Sequence, residues 1–220
     1  MIHWPNIDTV LLDMDGTLLD LHYDTHMWMH VLPQRIAARD NISTEHAKTR
    51  LFEQFHNRAR TIEYYCMDFW SDHTQMNIMD LHHEFSDLIR FLPGAENFLA
   101  QLRASSLTVR LVTNAHRDNL ELKNRLTGLD NYVEDQVSSL DFREPKESQH
   151  FWNALMGSHP FDPQRTLLID DNEDVLDAAS LFGIAHLLSV KRPDSQRPEK
   201  TGSKYPAFSA YTQLLPISPG

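Results

Sequence analysis

Ten residues near the amino terminus, Asp8 to Thr17 (DTVLLDMDGT), decide how the whole chain is read. Asp8 to Asp13 (DTVLLD) is a short apolar run that reads as a strand ending in a carboxylate, and Gly16 marks a tight turn just beyond. The same pattern recurs further along. Leu107 to Asn114 reads LTVRLVTN, Thr166 to Asp171 reads TLLIDD and His186 to Val190 reads HLLSV, while Tyr132 to Ser139 is a weaker version. The stretches between carry helical spacing: Ala95 to Ala104, His116 to Leu126, Lys146 to Met156 and Glu173 to Phe182, with glycines after the last three at 128, 157 and 183. Glycine enters the left-handed region without steric cost and so commonly ends a helix. Strands alternating with single helices predict an α/β fold, a doubly wound, Rossmann-like parallel sheet covered on both faces.

Residues 20–93 break this alternation. They show helical spacing and many aromatics, hold no convincing strand and end at Pro93-Gly94. The expectation is a helical cap, residues 20–93, inserted into a core built from residues 1–19 and 94–220. Inside it, Ser43 ahead of His46 and Ala47 predicts a helix start, and Phe52, Phe55 and Ala59 recur at helical spacing. At the far end, Lys191 to Lys204 reads as a polar loop before a short final helix near residues 207–215.

Composition narrows the function classes. Lys and Arg total 20 against 31 Asp and Glu, a formal charge of −11, which argues against a protein that grips a nucleic acid polymer by bulk charge. Cys66 is the single cysteine, so an intrachain disulfide and a multi-cysteine zinc site are excluded and a reducing compartment is indicated. The first residues lack the basic and apolar regions of a secretory signal, and no stretch approaches the roughly 18 apolar residues of a membrane span. No membrane partner and a cytoplasmic location are the expectations.

In open parallel sheets, ligands bind outside the carboxyl ends of the strands, and here those ends are polar. The first strand delivers Asp13 and then Asp15, Gly16 and Thr17; the second delivers Thr113 and Asn114; the TLLIDD strand delivers Asp170 and Asp171; Lys146 follows Pro145. Several carboxylates in one crevice would repel one another unless a cation sat among them. Mg²⁺ suits such a set, being a hard ion that takes a few carboxylates together with substrate phosphate. Thr113, Asn114 and Lys146 offer a hydroxyl, an amide and a point charge to phosphate oxygens.

DMDGT after one strand, VTN after a second, PK before a helix and IDD after a third resemble the four motifs of the haloacid dehalogenase (HAD) superfamily of phosphotransferases. The resemblance implies an HAD-like core in which Asp13 is the nucleophile and Asp15 protonates the leaving oxygen, later taking a proton from water. It implies Mg²⁺ held by the Asp13 carboxylate, the Asp15 backbone carbonyl and Asp171, with Asp170 acting through bound water. Gly16, Thr17, Thr113, Asn114 and Lys146 would face the transferring phosphate. Dehalogenating members lack an aspartate at the position of Asp15, and the phosphonate-cleaving members need a cap lysine, for which Lys48 is the single candidate between residues 20 and 93.

Longer segments, among them YYCMDFWSDH from Tyr64 and RTLLIDDNEDVLDAASLFGI from Arg165, resemble bacterial capped 5′-nucleotidases of the purine monophosphates GMP and IMP. That implies a small phosphoester substrate, a purine nucleoside monophosphate, hydrolysed through an aspartyl-phosphate. A phosphatase or phosphomutase acting on a sugar phosphate, and a non-hydrolytic binder of a phosphorylated ligand, share the core motifs. Tyr23, Trp28, Tyr64, Tyr65, Phe69 and Trp70 offer flat surfaces to a base, but their spacing also suits burial in a helical core. His22, Asp24 and His26 lie where the chain leaves the core for the cap.

Overall fold

The structure, a computed structural model, describes residues 2–218. Six strands, β1 (Thr9–Leu12), β2 (Thr108–Thr113), β3 (Asp135–Ser138), β4 (Thr166–Asp170), β5 (His186–Val190) and β6 (Ala207–Phe208), form one sheet in the order β3-β2-β1-β4-β5-β6, with every pairing parallel. The central strands β1 and β4 are buried along their whole length, as expected of strands covered on both faces.

Strand side chains alternate between the two faces. Val10 and Leu12 of β1 pack against Phe98, Leu99 and Leu102. Leu11 points the other way, into a cluster with Trp152, Leu155 and Leu176. In chain order the core helices are α7 (Ala95–Arg103), α8 (Arg117–Thr127), α9 (Gln149–Ser158) and α10 (Glu173–Phe182).

Between β1 and α7 the chain makes helices: α1 (His22–His26), a π-helical stretch (Met27–Val31), α2 (Leu32–Asp40), α3 (Thr44–Arg58), α4 (Ile62–Tyr65), α5 (Met67–Thr74) and α6 (Ile78–Glu84). Ser43 caps α3 by accepting the His46 backbone N–H at 3.2 Å. This insertion has its own apolar cluster, built on Tyr23, Leu51, Phe55 and Trp70. It leaves and re-enters the core through adjacent segments, in which the Asp20 N–H donates to the Arg90 carbonyl at 2.9 Å and the Leu92 N–H to the Leu18 carbonyl at 2.8 Å.

Several local expectations are corrected. The last segment is not a helix over 207–215: Ala207 and Phe208 add a strand to the edge of β5, and Tyr211–Leu214 form a single 3₁₀ turn. The unpaired edge of β5 offers backbone partners that outweigh local helix preference. Helix α9 begins three residues later than the sequence suggests, because Ser148 caps it, and Gly157 lies inside its last turn instead of stopping it. Strand β3 starts at Asp135, since Leu129–Tyr132 coil into a 3₁₀ turn. Ala59 falls just past the end of α3 and is exposed, so the buried stripe of that helix is Ala47, Leu51 and Phe55.

Candidate active site

Register brings the site together. Leu12 lies opposite Leu111 on one side and Ile169 on the other, so Asp13 and Asp170 leave the sheet at one level. Asp13, Asp170 and Asp171 present carboxylate oxygens that all lie within 4.8 Å of one another. Lys146 reaches in from the β3–α9 connection, its Nζ 2.6 Å from Asp13 Oδ1, 2.7 Å from Asp170 Oδ2 and 3.1 Å from the Val112 carbonyl. Burial works against the charge of this lysine, but Asp13 and Asp170 outweigh it and hold the ammonium charged. Burial also pushes the carboxyl of Asp170 up despite Lys146, with the charges of Asp13 and Asp171 adding to the shift. Asp171 is raised by burial too, against the pull of Lys200.

The loop bearing Lys146 is pinned from both sides. Asn114 Oδ1 accepts the Lys146 backbone N–H at 2.9 Å, and the Trp152 indole donates to the Lys146 carbonyl at 2.8 Å. The Asn114 amide also donates to Glu147 at 3.1 Å, and Glu147 accepts from Asn172 and from the Tyr65 hydroxyl of the insertion. The Asn114 side chain therefore braces the lysine loop while also lining the cleft. Thr113 lines the cleft, and its Oγ1 accepts the Ala115 N–H at 3.0 Å, which leaves its own O–H free to donate.

Gly16 and Thr17 lie next to this cluster but are not among the residues that line the cleft. Gly16 sits at φ +80°, and a Cβ there would meet Asp171 Cγ at 2.8 Å. The positive φ and the close approach of the Asp171 carboxylate thus both favour glycine here. The Thr17 side chain is fully buried away from the cleft, and its carbonyl accepts from the Tyr211 hydroxyl.

Asp13, Asp15, Thr113, Asn114, Lys146, Asp170 and Asp171 all line one cleft of about 710 Å³ between the sheet and the insertion. The opposite wall carries Trp28, Phe55, Tyr64, Tyr65 and Trp70. Trp28 meets Phe55 and Trp70 edge to face, with ring centroids 5.8 and 6.2 Å away. Tyr23, Phe69, His22 and His26 do not line the cleft. Tyr23 instead holds its hydroxyl 2.9 Å from the His82 carbonyl and 2.7 Å from His82 Nδ1. Burial drives the His82 pKa down to about 4, so the ring is neutral.

Four contributors escaped the sequence reading. Lys123 of α8, fully buried, donates to Asp15 and to Asp24. Lys200, from the polar loop, donates to the Asp171 carbonyl at 2.7 Å and its Oδ2 at 2.9 Å. Glu147 ties the insertion to the core, and Arg60 does so at the rim through a paired contact with Asp174 at 2.7 and 2.9 Å. One signal was present for Lys123, which falls three residues after Leu120 and four after Asn119, on the buried stripe of α8. The others are met only through tertiary contact.

The family description "haloacid dehalogenase-like hydrolase" matches residues 7–183, and the chain belongs to that family. It is a phosphoric monoester hydrolase. The GMP/IMP nucleotidase YrfG of Escherichia coli is 38% identical over 215 residues, covering 98% of this chain and 97% of the relative, and the protein of that name from Shigella flexneri matches equally. Among solved structures, an HAD phosphatase from Thermococcus onnurineus superposes with a TM-score of 0.77 at 19% identity, covering 94% of this chain and 96% of that one. The L-2-haloacid dehalogenase of Xanthobacter autotrophicus gives 0.64 at 16% identity over the same shares. At such identities these two speak for the fold.

Proposed function

We propose that this chain is a Mg²⁺-dependent 5′-nucleotidase that hydrolyses purine nucleoside monophosphates, GMP and IMP, to nucleoside and phosphate, with residues 20–93 acting as the cap over the site. The observation that carries the reading is the make-up of the cleft. Its charged floor suits a phosphate and its aromatic wall suits a flat base, within the volume range of sites for small ligands. The full-length similarity to a GMP/IMP nucleotidase supports the same choice.

Asp13 attacks phosphorus, forming an aspartyl-phosphate as the bond to the 5′ oxygen breaks. Asp15 gives its proton to the departing oxygen and then takes one from the water that hydrolyses the intermediate. Burial and the nearby charge of Asp24 raise the Asp15 carboxyl against the opposing pull of Lys123, which favours the protonated acid at the start of the cycle. Lys146 fixes the rotation of the Asp13 carboxylate and, with Thr113, faces the charge that develops on the transferring group. The donor set fits a hard divalent cation, because three crowded carboxylates, two of them raised by burial, are relieved by one. Mg²⁺ would be held by Asp13, Asp171 and the Asp15 backbone carbonyl, with Asp170, already paired to Lys146, behind them. Bound there, it would screen the approach of a phosphate dianion to the nucleophile.

A substrate panel tests the reading. With Mg²⁺ present, kcat/KM for GMP and IMP is expected to exceed that for CMP and glucose 6-phosphate by about tenfold or more, a ratio within reach of a base pocket. Equal values across the panel would reduce the assignment to a general phosphatase.

A further inference from the structure

Lys123 is the one buried cation in the cleft region that the mechanism above leaves without a task. It stands on α8, its side chain 1% exposed, with Nζ 2.6 Å from Asp15 Oδ1 and 3.1 and 2.9 Å from the two oxygens of Asp24. The Tyr23 ring lies under it, with the centroid 5.2 Å from Nζ. Among the described residues, Lys123 is the sole side chain that donates a hydrogen bond to the Asp15 carboxylate. Asp24 belongs to the first helix of the insertion, so this ammonium is shared between the core and the segment that leads into the cap.

We propose that Lys123 is a positioning residue for Asp15: it aims the acid/base carboxylate at the ester oxygen, and Asp24 fixes where the ammonium stands. An ammonium is a point charge with three donors on a flexible stem, so one partner alone would leave its place undefined. Two carboxylates from opposite sides, with an aromatic ring beneath, define it. Asp15 itself follows β1 in a turn, and its carboxylate is a fifth exposed, so packing alone does not set its direction. The inference rests on the phosphatase reading of Asp15 and extends it to a residue that touches neither substrate nor metal.

A purely structural anchor and a positioning role predict different kinetics. Proton donation matters where the leaving oxygen is a poor leaving group, as in a nucleoside, and not where it departs readily as an anion, as in p-nitrophenyl phosphate. The experiment compares kcat/KM of wild type, Lys123→Met and Asp15→Asn on GMP and on p-nitrophenyl phosphate. Lys123→Met is expected to lose about a hundredfold on GMP and less than about threefold on p-nitrophenyl phosphate, the same selective pattern as Asp15→Asn. It should also release a burst of p-nitrophenolate, since hydrolysis of the aspartyl-phosphate still needs the aimed base. An equal fall on both substrates overturns the proposal.

If Lys123→Met alone fails to fold, Lys123→Met with Asp24→Asn removes the carboxylate left unpaired and carries the same comparison, judged on the same selective loss. If wild type cleaves p-nitrophenyl phosphate but none of the nucleotides, the nucleotidase reading fails by itself. Glycerol phosphate, another ester with a poor leaving group, then replaces GMP and the selective loss is decided on that pair.

Discussion

Lys146 and Lys123 are both buried lysines of the core, and each sits between two carboxylates, yet they belong to different halves of the cleft. Both partners of Lys146, Asp13 and Asp170, come from neighbouring strands of one sheet whose register fixes them relative to each other. Lys123 has one partner in the core and one in the insertion. The floor of the cleft is therefore assembled by the sheet itself, whereas its upper half is assembled only when helices of separate origin meet. On the proposed function, the nucleophile stands on the sheet-built floor, while the acid/base Asp15 is met by a lysine whose second partner comes from the insertion.

This contrast can be broken or sharpened by substitution. The largest effect belongs to the floor: Asp13→Asn removes the proposed nucleophile and is expected to lower turnover at least about ten-thousandfold, measured as phosphate release from GMP. Its circular dichroism spectrum should remain that of wild type. Retained activity would take Asp13 out of the mechanism and with it the distinction between the two halves.

A smaller effect belongs to the upper half. His82 is buried and neutral, its pKa moved from 6.5 to about 4 by desolvation. Between those values the unfolded chain takes up a proton that the folded protein refuses, so stability falls as pH drops from about 6.5 and levels off below about 4. The contribution is about 3 kcal/mol over that window. Denaturant unfolding of wild type and His82→Gln across this range should differ by that slope, and identical profiles would show that the ring is not held neutral.

The smallest effect lies at the rim. Arg60 and Asp174 form a two-bond contact between insertion and core, but both are substantially exposed. Arg60→Ala is expected to change stability by less than about 0.5 kcal/mol, read from the shift of the unfolding midpoint.

The sequence exposes the floor because its residues close apolar runs: Asp13, Thr113 and Asp170 each end a buried strand, and the strand register then makes them neighbours. Asp171 was legible for the same reason, and Gly16 as a turn, although the reason for the glycine, the carboxylate pressed against it, is visible only in three dimensions. The upper half was hidden because its aromatics obey the spacing of a packed helix whether or not they also face a ligand. Trp70 does both, being buried within the insertion and lining the cleft. Lys200 and the β6 edge lie in a polar loop and a short tail, where local pattern carries little information and long-range pairing decides. For Asn114 the loop contacts were hidden for a different reason, since an amide can serve a ligand, a loop or both, and its partners are visible only in three dimensions.

The paired segments through which the helices leave and rejoin the sheet carry a consequence of their own. Because residues 18–20 and 90–92 are hydrogen-bonded side by side, the sheet experiences the whole excursion as a closed loop with fixed ends. The entropic cost of lengthening or shortening such a loop grows only slowly with its size. Insertions and deletions between those ends are therefore expected to cost the core little, provided that the contacts of Asp24 with Lys123 and of Tyr65 with Glu147 are kept.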